Sequence, residues 1–228
     1  IRGDSGDDAG GWGMTPAAVL FDCDGVIVDS ERIAFGLLSV DLAAHGLPMT
    51  HSQMEAAFLG GTIPGLRVRA NALGADLPAS WPEDFYSRLY ARLAEGTPLI
   101  PGIGAVLDHL DAARIPYAVG SNGSMQKMRI TLGQHPAVWA RLEKRLYSGQ
   151  NLGKPKPDPA VFLMAARDLG ADPADCTVVD DSATGCIAAA RAGMRCLGFA
   201  PVGDGARLAA EGATVFSDMA DLPALLGL

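Results

Sequence analysis

The stretch "VLFDCDGVIVDS", residues 19–30, decides the fold expected of this chain. It opens as a short apolar run, which is typical of a buried strand, and then places Asp22 and Asp24 one residue apart, directly before Gly25. Side chains two positions apart in an extended segment point to the same side. The sequence therefore predicts a buried strand that ends on two carboxylates facing one site.

The rest of the chain predicts an α/β architecture. Short apolar runs follow from residue 98 onward and are separated by helical patterns; they lie at 117–121, 176–181 and 194–199, with weaker ones near 145–149 and 213–216. Continuously apolar strands that alternate with helices indicate a parallel sheet covered on both faces. We therefore expect a Rossmann-like α/β core.

Residues 31–95 carry no strand signal and predict a helical insertion after the first strand. Start and stop signals divide them into four helices: residues 31–45 ended by Gly46, a helix capped by Thr50 with Gln53, residues 64–73 ended by Gly74, and a helix capped by Ser80 with Glu83 and ended by Gly96. The expected organisation is an N-terminal extension over 1–13, a core over 14–30 and 96–228, and a four-helix insertion over 31–95.

The charge balance and the hydropathy pattern argue against two classes of partner. Lys and Arg total 18 against 26 Asp and Glu, a net charge of −8, and no long basic run could follow a phosphate backbone, so nucleic acid is not expected. No apolar run approaches the roughly 20 residues of a membrane helix, and the first residues lack a secretory layout. We expect a cytoplasmic protein with no membrane partner.

Polar residues follow three of the predicted strands. Because ligands bind outside the carboxyl ends of parallel strands, these residues should converge in one crevice. Two carboxylates about 4 Å apart repel by on the order of 4 kcal/mol at an effective dielectric near 20, so four carboxylates in one crevice need a cation. Because the ligands are oxygens beside a phosphate, Mg²⁺ is the favoured cation. The residues are Asp22 and Asp24, Ser121 and Asn122, and Asp180 with Asp181.

This arrangement predicts phosphoryl transfer. A carboxylate beside a bound phosphate can attack phosphorus, which makes Asp22 the candidate nucleophile. Asp24 can protonate the leaving alcohol and later deprotonate the hydrolytic water. Ser121 and the backbone N–H groups of "SNGS" can donate to phosphate oxygens, and a lysine of "GKPKPDP", residues 153–159, can supply positive charge.

The segments "DCDGVIVDS", "SNGS", "KPKPD" and "VVDDSATG" resemble the four motifs of the haloacid dehalogenase superfamily of phosphohydrolases, and residues 31–95 resemble the helical cap of that superfamily. The resemblance extends over residues 17–226. It implies that Asp22 is the nucleophile, that Asp24 is the acid/base, that Ser121, Asn122 and Lys154 bind the phosphoryl group with Lys156 as the alternative lysine, and that Mg²⁺ is bound by Asp22, the backbone carbonyl of Asp24, and Asp180 with Asp181.

The segments "SNGSMQKM" and "LYSGQNLGKPKPDPA" also resemble the β-phosphoglucomutase and 6-phosphogluconate phosphatase-like branch of the superfamily. This implies an Mg-dependent phosphatase for a small sugar or sugar-acid phosphate, acting through an aspartyl-phosphate. Specificity is expected from the insertion. There "GGTIPG" puts forward Gly60, Gly61 and Thr62 as substrate-binding residues, because adjacent glycines let the backbone approach a ligand.

Three other activities are compatible with parts of this motif set. A dehalogenase needs no acid/base two residues after the nucleophile, so Asp24 favours a phosphate ester as the substrate. A phosphomutase resembling β-phosphoglucomutase shares all four motifs and is the enzymatic alternative. A phosphoacceptor signalling module is the non-enzymatic alternative, but it needs neither Asp24 nor the insertion.

Overall fold

A computed structural model of the chain describes residues 15–58 and 61–228. Its six strands form a single parallel sheet in the order β3-β2-β1-β4-β5-β6. The strands are β1 (Ala18–Phe21), β2 (Tyr117–Ser121), β3 (Leu146–Ser148), β4 (Cys176–Asp180), β5 (Arg195–Phe199) and β6 (Thr214–Phe216). The extension predicted over residues 1–13 lies outside the described residues.

Helices fill most of the chain between the strands. No helix in the described ranges is both long enough and apolar enough to cross a membrane. The helices are α1 (Glu31–Ala44), α2 (His51–Phe58), α3 (Ile63–Ala72), α4 (Trp81–Ala94), α5 (Ile103–Ala113), α6 (Met125–Leu132), α7 (Pro136–Leu142), α8 (Gly149–Leu152), α9 (Ala160–Leu169), α10 (Ala183–Arg191), α11 (Ala206–Ala210) and α12 (Leu222–Leu225).

The alternation of side chains along β1 explains how the sheet is covered on both faces. Val19 and Phe21 belong to one buried cluster, together with apolar residues of α5, α6, α7 and α12. Ala18 and Leu20 belong to a second cluster, with residues of α9 and α10. Because successive side chains in a strand point to opposite faces, a fully apolar strand needs a layer of helices on each side. The predicted α/β fold is confirmed.

The register of β1 determines where the polar strand ends lie. Phe21 pairs with Val119 of β2 and with Val179 of β4, so the residues that follow these strands come out side by side. The strand order also reverses at β1, because the chain extends the sheet through β2 and β3 and then returns to the other side of β1 for β4. Such a reversal point is where open α/β sheets bind ligands.

The helices α1 to α4 pack around a hydrophobic cluster of their own. A polar contact ties them together inside this unit, since Asp41 accepts hydrogen bonds from Trp81 Nε1 at 2.7 Å and from both terminal nitrogens of Arg88 at 2.9 and 2.6 Å. We propose that the unit has the boundaries expected from the sequence, residues 31–95. Its cluster includes Phe35, Leu38, Leu42, Met54, Phe58, Leu66, Leu77, Trp81, Phe85, Leu89 and Leu93.

One of the two predicted capping boxes is present and the other is not. The Thr50 N–H donates to Gln53 Oε1 at 2.8 Å and the Gln53 N–H donates back to Thr50 Oγ1 at 3.3 Å, which confirms the first. Ser80 precedes α4 but has a helical backbone conformation, and its side chain makes no capping hydrogen bond. An N-cap hydroxyl reaches the first turn only from extended backbone, so the box predicted for Ser80 with Glu83 is wrong.

Candidate active site

A cavity of about 120 Å³ lies between the carboxyl end of the sheet and the helical insertion. Both parts of the molecule line it, and they contribute different chemistry. From the core come Asp22, Asp24, Ser121, Asn122, Gly123, Ser124, Lys127, Gln150, Lys156, Asp181 and Ser182, and from the insertion come Glu31, Ala34, Phe35, Leu38, Phe58, Gly61, Thr62, Ile63, Leu66, Phe85, Tyr86 and Leu89. The polar strand ends predicted to converge do so here.

Lys156 lies at the centre of the acidic groups. Its Nζ is 2.5 Å from Asp22 Oδ1 and 2.7 Å from Asp180 Oδ2, and its side chain is 2% exposed. The ammonium also lies over the Phe162 ring, 4.8 Å from the ring centroid. A buried cation with two carboxylate partners holds both in fixed positions, so Asp22 is oriented by Lys156.

The lysine preferred from the sequence is therefore corrected. Lys154 is exposed and does not line the cavity, whereas Lys156 is buried in it. The reason is a contact from another strand end: the Lys156 N–H donates to Asn122 Oδ1 at 2.6 Å, and Asn122 Nδ2 donates to the Lys156 carbonyl at 3.2 Å. Asn122, expected to bind phosphate, uses its side chain here to hold the backbone of Lys156.

Burial and like charge alter the ionisation of this cluster. Burial, reinforced by Asp180 and Asp24 against the opposing effect of Lys156, raises the pKa of Asp22 to about 7. Burial by itself would lower the pKa of Lys156, but Asp180 and Asp22 outweigh it and the pKa is raised, so the lysine stays charged. The site therefore contains a permanent cation beside a carboxyl group that titrates near neutral pH.

Asp180 is fully buried behind the cavity wall. Its Oδ1 accepts hydrogen bonds from the Ser182 N–H at 3.0 Å and the Ser182 hydroxyl at 2.7 Å, and its Oδ2 accepts from Lys156. Gly185, in the first turn of α10, makes room for it: a Cβ at this position would lie 1.9 Å from the Asp180 carboxyl group. Asp180 thus anchors Lys156, and its predicted role as a metal ligand stays a prediction.

Asp24 faces the cavity next to Asp22 and has two partners. The Ser30 hydroxyl donates to Asp24 Oδ1, and Lys127 Nζ lies 2.8 Å from the same oxygen. Burial opposes a charge on Lys127, yet Asp24 outweighs it and the pKa of Lys127 is raised. The sequence analysis did not identify Lys127, because a lone lysine in an amphipathic helix normally faces water.

The loop after β2 presents hydroxyl and N–H groups to the same space. Ser121 is buried and its Oγ accepts a hydrogen bond from the Gly123 N–H at 2.9 Å. Ser124 caps α6 by accepting the Lys127 N–H at 3.0 Å. This places the positive end of a helix dipole at the edge of the cavity, where an anion is stabilised.

The insertion brings several predicted and several unpredicted residues to the cavity. Gly61 and Thr62 line it, and Gly60 lies outside the described residues. Tyr86 also lines it and donates to Gln150 Oε1 of the core at 3.3 Å. Glu31, the first residue of α1, lines it as well, and burial and the nearby Asp24 raise its pKa to about 8.

A model of the haloacid dehalogenase-like hydrolases matches residues 16–193. The chain belongs to this family. It is 30% identical over 210 residues to the 6-phosphogluconate phosphatase of Escherichia coli, covering 91% of this chain and 93% of that protein. It is 32% identical over 206 residues to a CBBY-like protein of Arabidopsis thaliana, covering 80% of this chain and 62% of that longer protein.

Solved structures of the family share the fold. A haloacid dehalogenase-like protein of unknown function from Agrobacterium tumefaciens superposes with a TM-score of 0.78 at 32% identity, over 92% of this chain and 97% of that chain. A β-phosphoglucomutase from Clostridium difficile superposes with a TM-score of 0.73 at 19% identity, over 91% and 93%, which shows the fold alone. This chain is therefore an enzyme of the hydrolase class, and its relatives support phosphatase activity.

The donor set fits the Mg²⁺ that the family resemblance implies. Asp22 and Asp181 both line the cavity, and burial together with neighbouring carboxylates raises the pKa of each. A Cβ on Gly25 would lie 1.9 Å from Asp181 Oδ2, so only glycine lets this carboxylate approach the backbone beside Asp24. In the described ranges no three acidic, histidine or cysteine side chains form a preassembled metal site. Crowded oxygen donors beside a backbone carbonyl are nevertheless what a hard cation requires.

Proposed function

We propose that this haloacid dehalogenase-like hydrolase is a Mg-dependent phosphatase that hydrolyses a small sugar or sugar-acid phosphate through an aspartyl-phosphate on Asp22. The observation that carries the proposal is the contact between Asp22 and Lys156 at 2.5 Å, in a cavity that Asp24 also lines. A nucleophile, a phosphate-binding cation and an acid/base are the three groups that the reaction needs.

The first half-reaction forms the aspartyl-phosphate. An Asp22 oxygen attacks phosphorus while the bond from phosphorus to the ester oxygen breaks, and Asp24 gives its proton to the departing alcohol oxygen. Lys156 and the N–H groups at the start of α6 face the phosphoryl oxygens, whose negative charge grows along this path. Lys156 also lowers the pKa of Asp22 against the larger effect of burial, which favours the ionised, nucleophilic carboxylate.

The second half-reaction returns the enzyme to its starting state. Asp24, now ionised, takes a proton from a water molecule whose oxygen attacks phosphorus. The bond from phosphorus to the Asp22 oxygen breaks, and inorganic phosphate leaves. Mg²⁺, held by Asp22, Asp181 and the Asp24 carbonyl, with Asp180 as a further expected ligand, would neutralise the phosphoryl oxygens when bound.

The walls of the cavity suit a small polyol. The side chains that the insertion contributes to the cavity are mostly apolar. Hydrogen-bonding groups beside this apolar wall include Thr62 and Tyr86 of the insertion and Gln150 of the core. Ligand sites commonly pair an apolar wall with a few placed polar groups, and here these groups would meet the hydroxyls of a sugar chain.

The distribution of cations favours the phosphatase over the phosphomutase. A mutase must bind a second phosphate, yet the cations that line the cavity in the described ranges are Lys127 and Lys156 of the core, and each already contacts carboxylates. The arginines of the insertion point elsewhere: Arg67 donates to the Pro78 carbonyl at 2.7 Å, and Arg88 is paired with Asp41. A single phosphate is the charge that the site accommodates.

The assigned nucleophile is tested by Asp22→Asn. Because an amide cannot attack phosphorus, we expect phosphate release to fall by about 10⁴-fold or more while the fold is retained. Asp84→Asn, an exposed position on α4, is the matched control and should keep full activity. Turnover by purified Asp22→Asn at a tenth of the native rate would refute the assignment.

The substrate class is tested by a phosphate-release screen of the Mg²⁺-loaded protein. The panel contains sugar phosphates, sugar-acid phosphates such as 6-phosphogluconate, phosphoglycolate and nucleotides. We expect the highest kcat/KM among the sugar and sugar-acid phosphates. A preference for nucleotides would overturn the substrate class, and conversion of β-glucose 1-phosphate to glucose 6-phosphate without phosphate release would establish the mutase instead.

A further inference from the structure

Lys127 is a buried cation of the cavity wall for which the reaction described above has no role. It lies in the first turn of α6, its side chain is 14% exposed, and it lines the cavity together with Lys156. Placing a lysine where burial disfavours its charge requires a compensating partner. The partner is the candidate acid/base itself.

The contact between Lys127 and Asp24 is direct. Lys127 Nζ lies 2.8 Å from Asp24 Oδ1, the same oxygen that accepts the Ser30 hydroxyl. The other titratable groups whose charge acts on Lys127 are Cys23 and Glu31. With Oδ1 engaged by two donors, the orientation of the carboxyl group is fixed.

Gly123, in the loop that follows β2, lies next to the contact between Lys127 and Asp24. A Cβ at Gly123 would lie 3.3 Å from Asp24 Oδ2 and 3.5 Å from the Lys127 side chain. Oδ2 is thus the Asp24 oxygen next to the loop that carries Ser121. That is the oxygen available to a leaving group on a phosphate bound there.

The position of Lys127 is itself secured by α6 and by the insertion. Ser124 accepts the Lys127 N–H at 3.0 Å, and the Tyr90 side chain of α4 contacts the Ser124 hydroxyl at 2.6 Å. Thr131 donates to the Lys127 carbonyl at 3.1 Å one turn later. These contacts hold the backbone of Lys127 in place within reach of Asp24.

We propose that Lys127 is a positioning residue that holds the Asp24 carboxyl group, through Oδ1, at the leaving-group side of the cavity. The inference rests on the proposed function, since it assigns Lys127 a part in the two proton transfers of Asp24. This role is distinct from stabilising the fold. An ion pair inside a protein is often no more stabilising than a pair of apolar side chains of the same volume.

This role makes the effect of removing Lys127 depend on the leaving group. Departure of an alkoxide requires the proton of Asp24, whereas departure of p-nitrophenolate does not. Attack of water on the aspartyl-phosphate requires Asp24 with either ester. A variant with a misplaced Asp24 should therefore release p-nitrophenolate rapidly once and then stall.

The experiment compares Lys127→Met and Lys127→Arg with Lys144→Met, an exposed lysine outside the cavity, as the matched control. With Mg²⁺ present, steady-state kcat on a sugar phosphate that the native enzyme hydrolyses and the pre-steady-state release of p-nitrophenolate from p-nitrophenyl phosphate are measured. We expect Lys127→Met to lose about 10²-fold or more in kcat on the alkyl ester but to release a full burst of p-nitrophenolate. Lys127→Arg should restore part of the rate, and Lys144→Met should match the native enzyme.

Other outcomes overturn the inference. Equal losses on both esters without a burst would mean that Lys127 binds substrate or maintains the fold, and an unchanged kcat would mean that the ion pair is incidental. A double variant with Asp24→Asn keeps the test valid if Lys127→Met is unstable: a positioning residue adds no further loss when Asp24 is already an amide. If native enzyme hydrolyses no ester at all, or if Asp22→Asn keeps the burst, the proposed function fails rather than the role of Lys127.

Discussion

The α/β core and the helical insertion build their halves of the cavity by different means. In the core, charged side chains are buried and held by paired contacts, as Lys156 is by Asp22 and Asp180. In the insertion, apolar side chains of α1, α3 and α4 form the wall, and the ion pair of Asp41 with the exposed Arg88 lies away from the cavity. From this difference we propose that electrostatics positions the phosphoryl group and that the shape of the apolar wall selects the leaving group.

The two regions also meet unevenly. On one side, Tyr86 and Tyr90 of α4 contact Gln150 and Ser124 of the core. On the other, a second cavity of about 540 Å³ lies between the segment 199–208 and helices α1 and α2, and Arg207 reaches across to donate to the Glu55 carbonyl at 3.4 Å. Because polar contacts hold α4 to the core and open space borders α1 and α2, we expect motion between the two regions to be largest on the second side.

The sharpest test of the core is Gly185→Ala. A methyl group there would lie 1.9 Å from the Asp180 carboxyl group, so Asp180 must move and release Lys156. We expect kcat to fall by about 10²-fold and the free energy of unfolding to fall by roughly 1–3 kcal/mol. Phosphate release and urea unfolding measure the two effects.

The matched control lies in the insertion. Gly36 is in the middle of α1, is exposed, and a Cβ there meets no atom within 4 Å. Gly36→Ala should leave activity unchanged and raise the free energy of unfolding by roughly 0.5–1 kcal/mol, because alanine loses less backbone entropy in a helix. If Gly185→Ala behaved like Gly36→Ala, the core would not depend on the close placement of Asp180.

Replacing one leucine of each hydrophobic cluster by alanine compares how much the core and the insertion each contribute to the free energy of unfolding. Leu110 of α5 is 0% exposed in the core and Leu89 of α4 is 2% exposed in the insertion, so each change to alanine should cost about 2–5 kcal/mol. Leu89→Ala also removes part of the cavity wall and should raise KM, whereas Leu110→Ala should leave KM unchanged. Steady-state kinetics with the identified substrate measures this.

Hydrogen exchange shows whether the two clusters unfold separately. In Leu89→Ala we expect amides of α1 to α4 to exchange faster while those of the sheet stay protected, because local opening follows local stability. Leu110→Ala should accelerate exchange in both regions, since the insertion depends on the core. Equal acceleration of the sheet in both variants would show that the molecule unfolds as a single unit.

The smallest expected effect concerns Glu31, the residue of the insertion that brings charge to the cavity. Its pKa is raised from 4.5 to about 8 in the folded state, so the folded protein holds this proton more tightly than the unfolded chain. Its contribution to stability is complete below the unfolded pKa and is lost as pH rises through about 8. Glu31→Gln should therefore flatten the fall in Tm between about pH 5 and pH 9 in buffer with chelator.

Glu83→Gln is the control for this titration. Glu83 lies in the first turn of α4, is exposed and does not line the cavity, so Glu83→Gln should leave the fall in Tm between about pH 5 and pH 9 unchanged. Identical pH profiles for Glu31→Gln and the native protein would show that Glu31 loses its proton in the folded state as easily as in the unfolded one. The insertion would then contribute shape alone to the cavity.

Much of the architecture could be predicted because its signals are local. An apolar run followed by a polar residue marks a strand end whatever lies around it, and Asp22, Ser121 and Asp180 come where the strands place them. The capping box of Thr50 and Gln53 is equally local. The box of Ser80 failed because the backbone angle of its first residue is set by the preceding turn, which the four-residue pattern does not contain.

The sequence by itself determined the parallel α/β sheet, the helical insertion and the acids at the strand ends, since these follow from periodicity and from short motifs. Tertiary structure alone decided which lysine enters the cavity, because Asn122 selects Lys156 over Lys154 across 34 residues of chain. It likewise decided that Lys127 and Glu31 face the cavity rather than water. The local sequence around a charged side chain is the same whether that side chain is paired inside the protein or solvated at the surface. Only the groups that fold against it decide between the two.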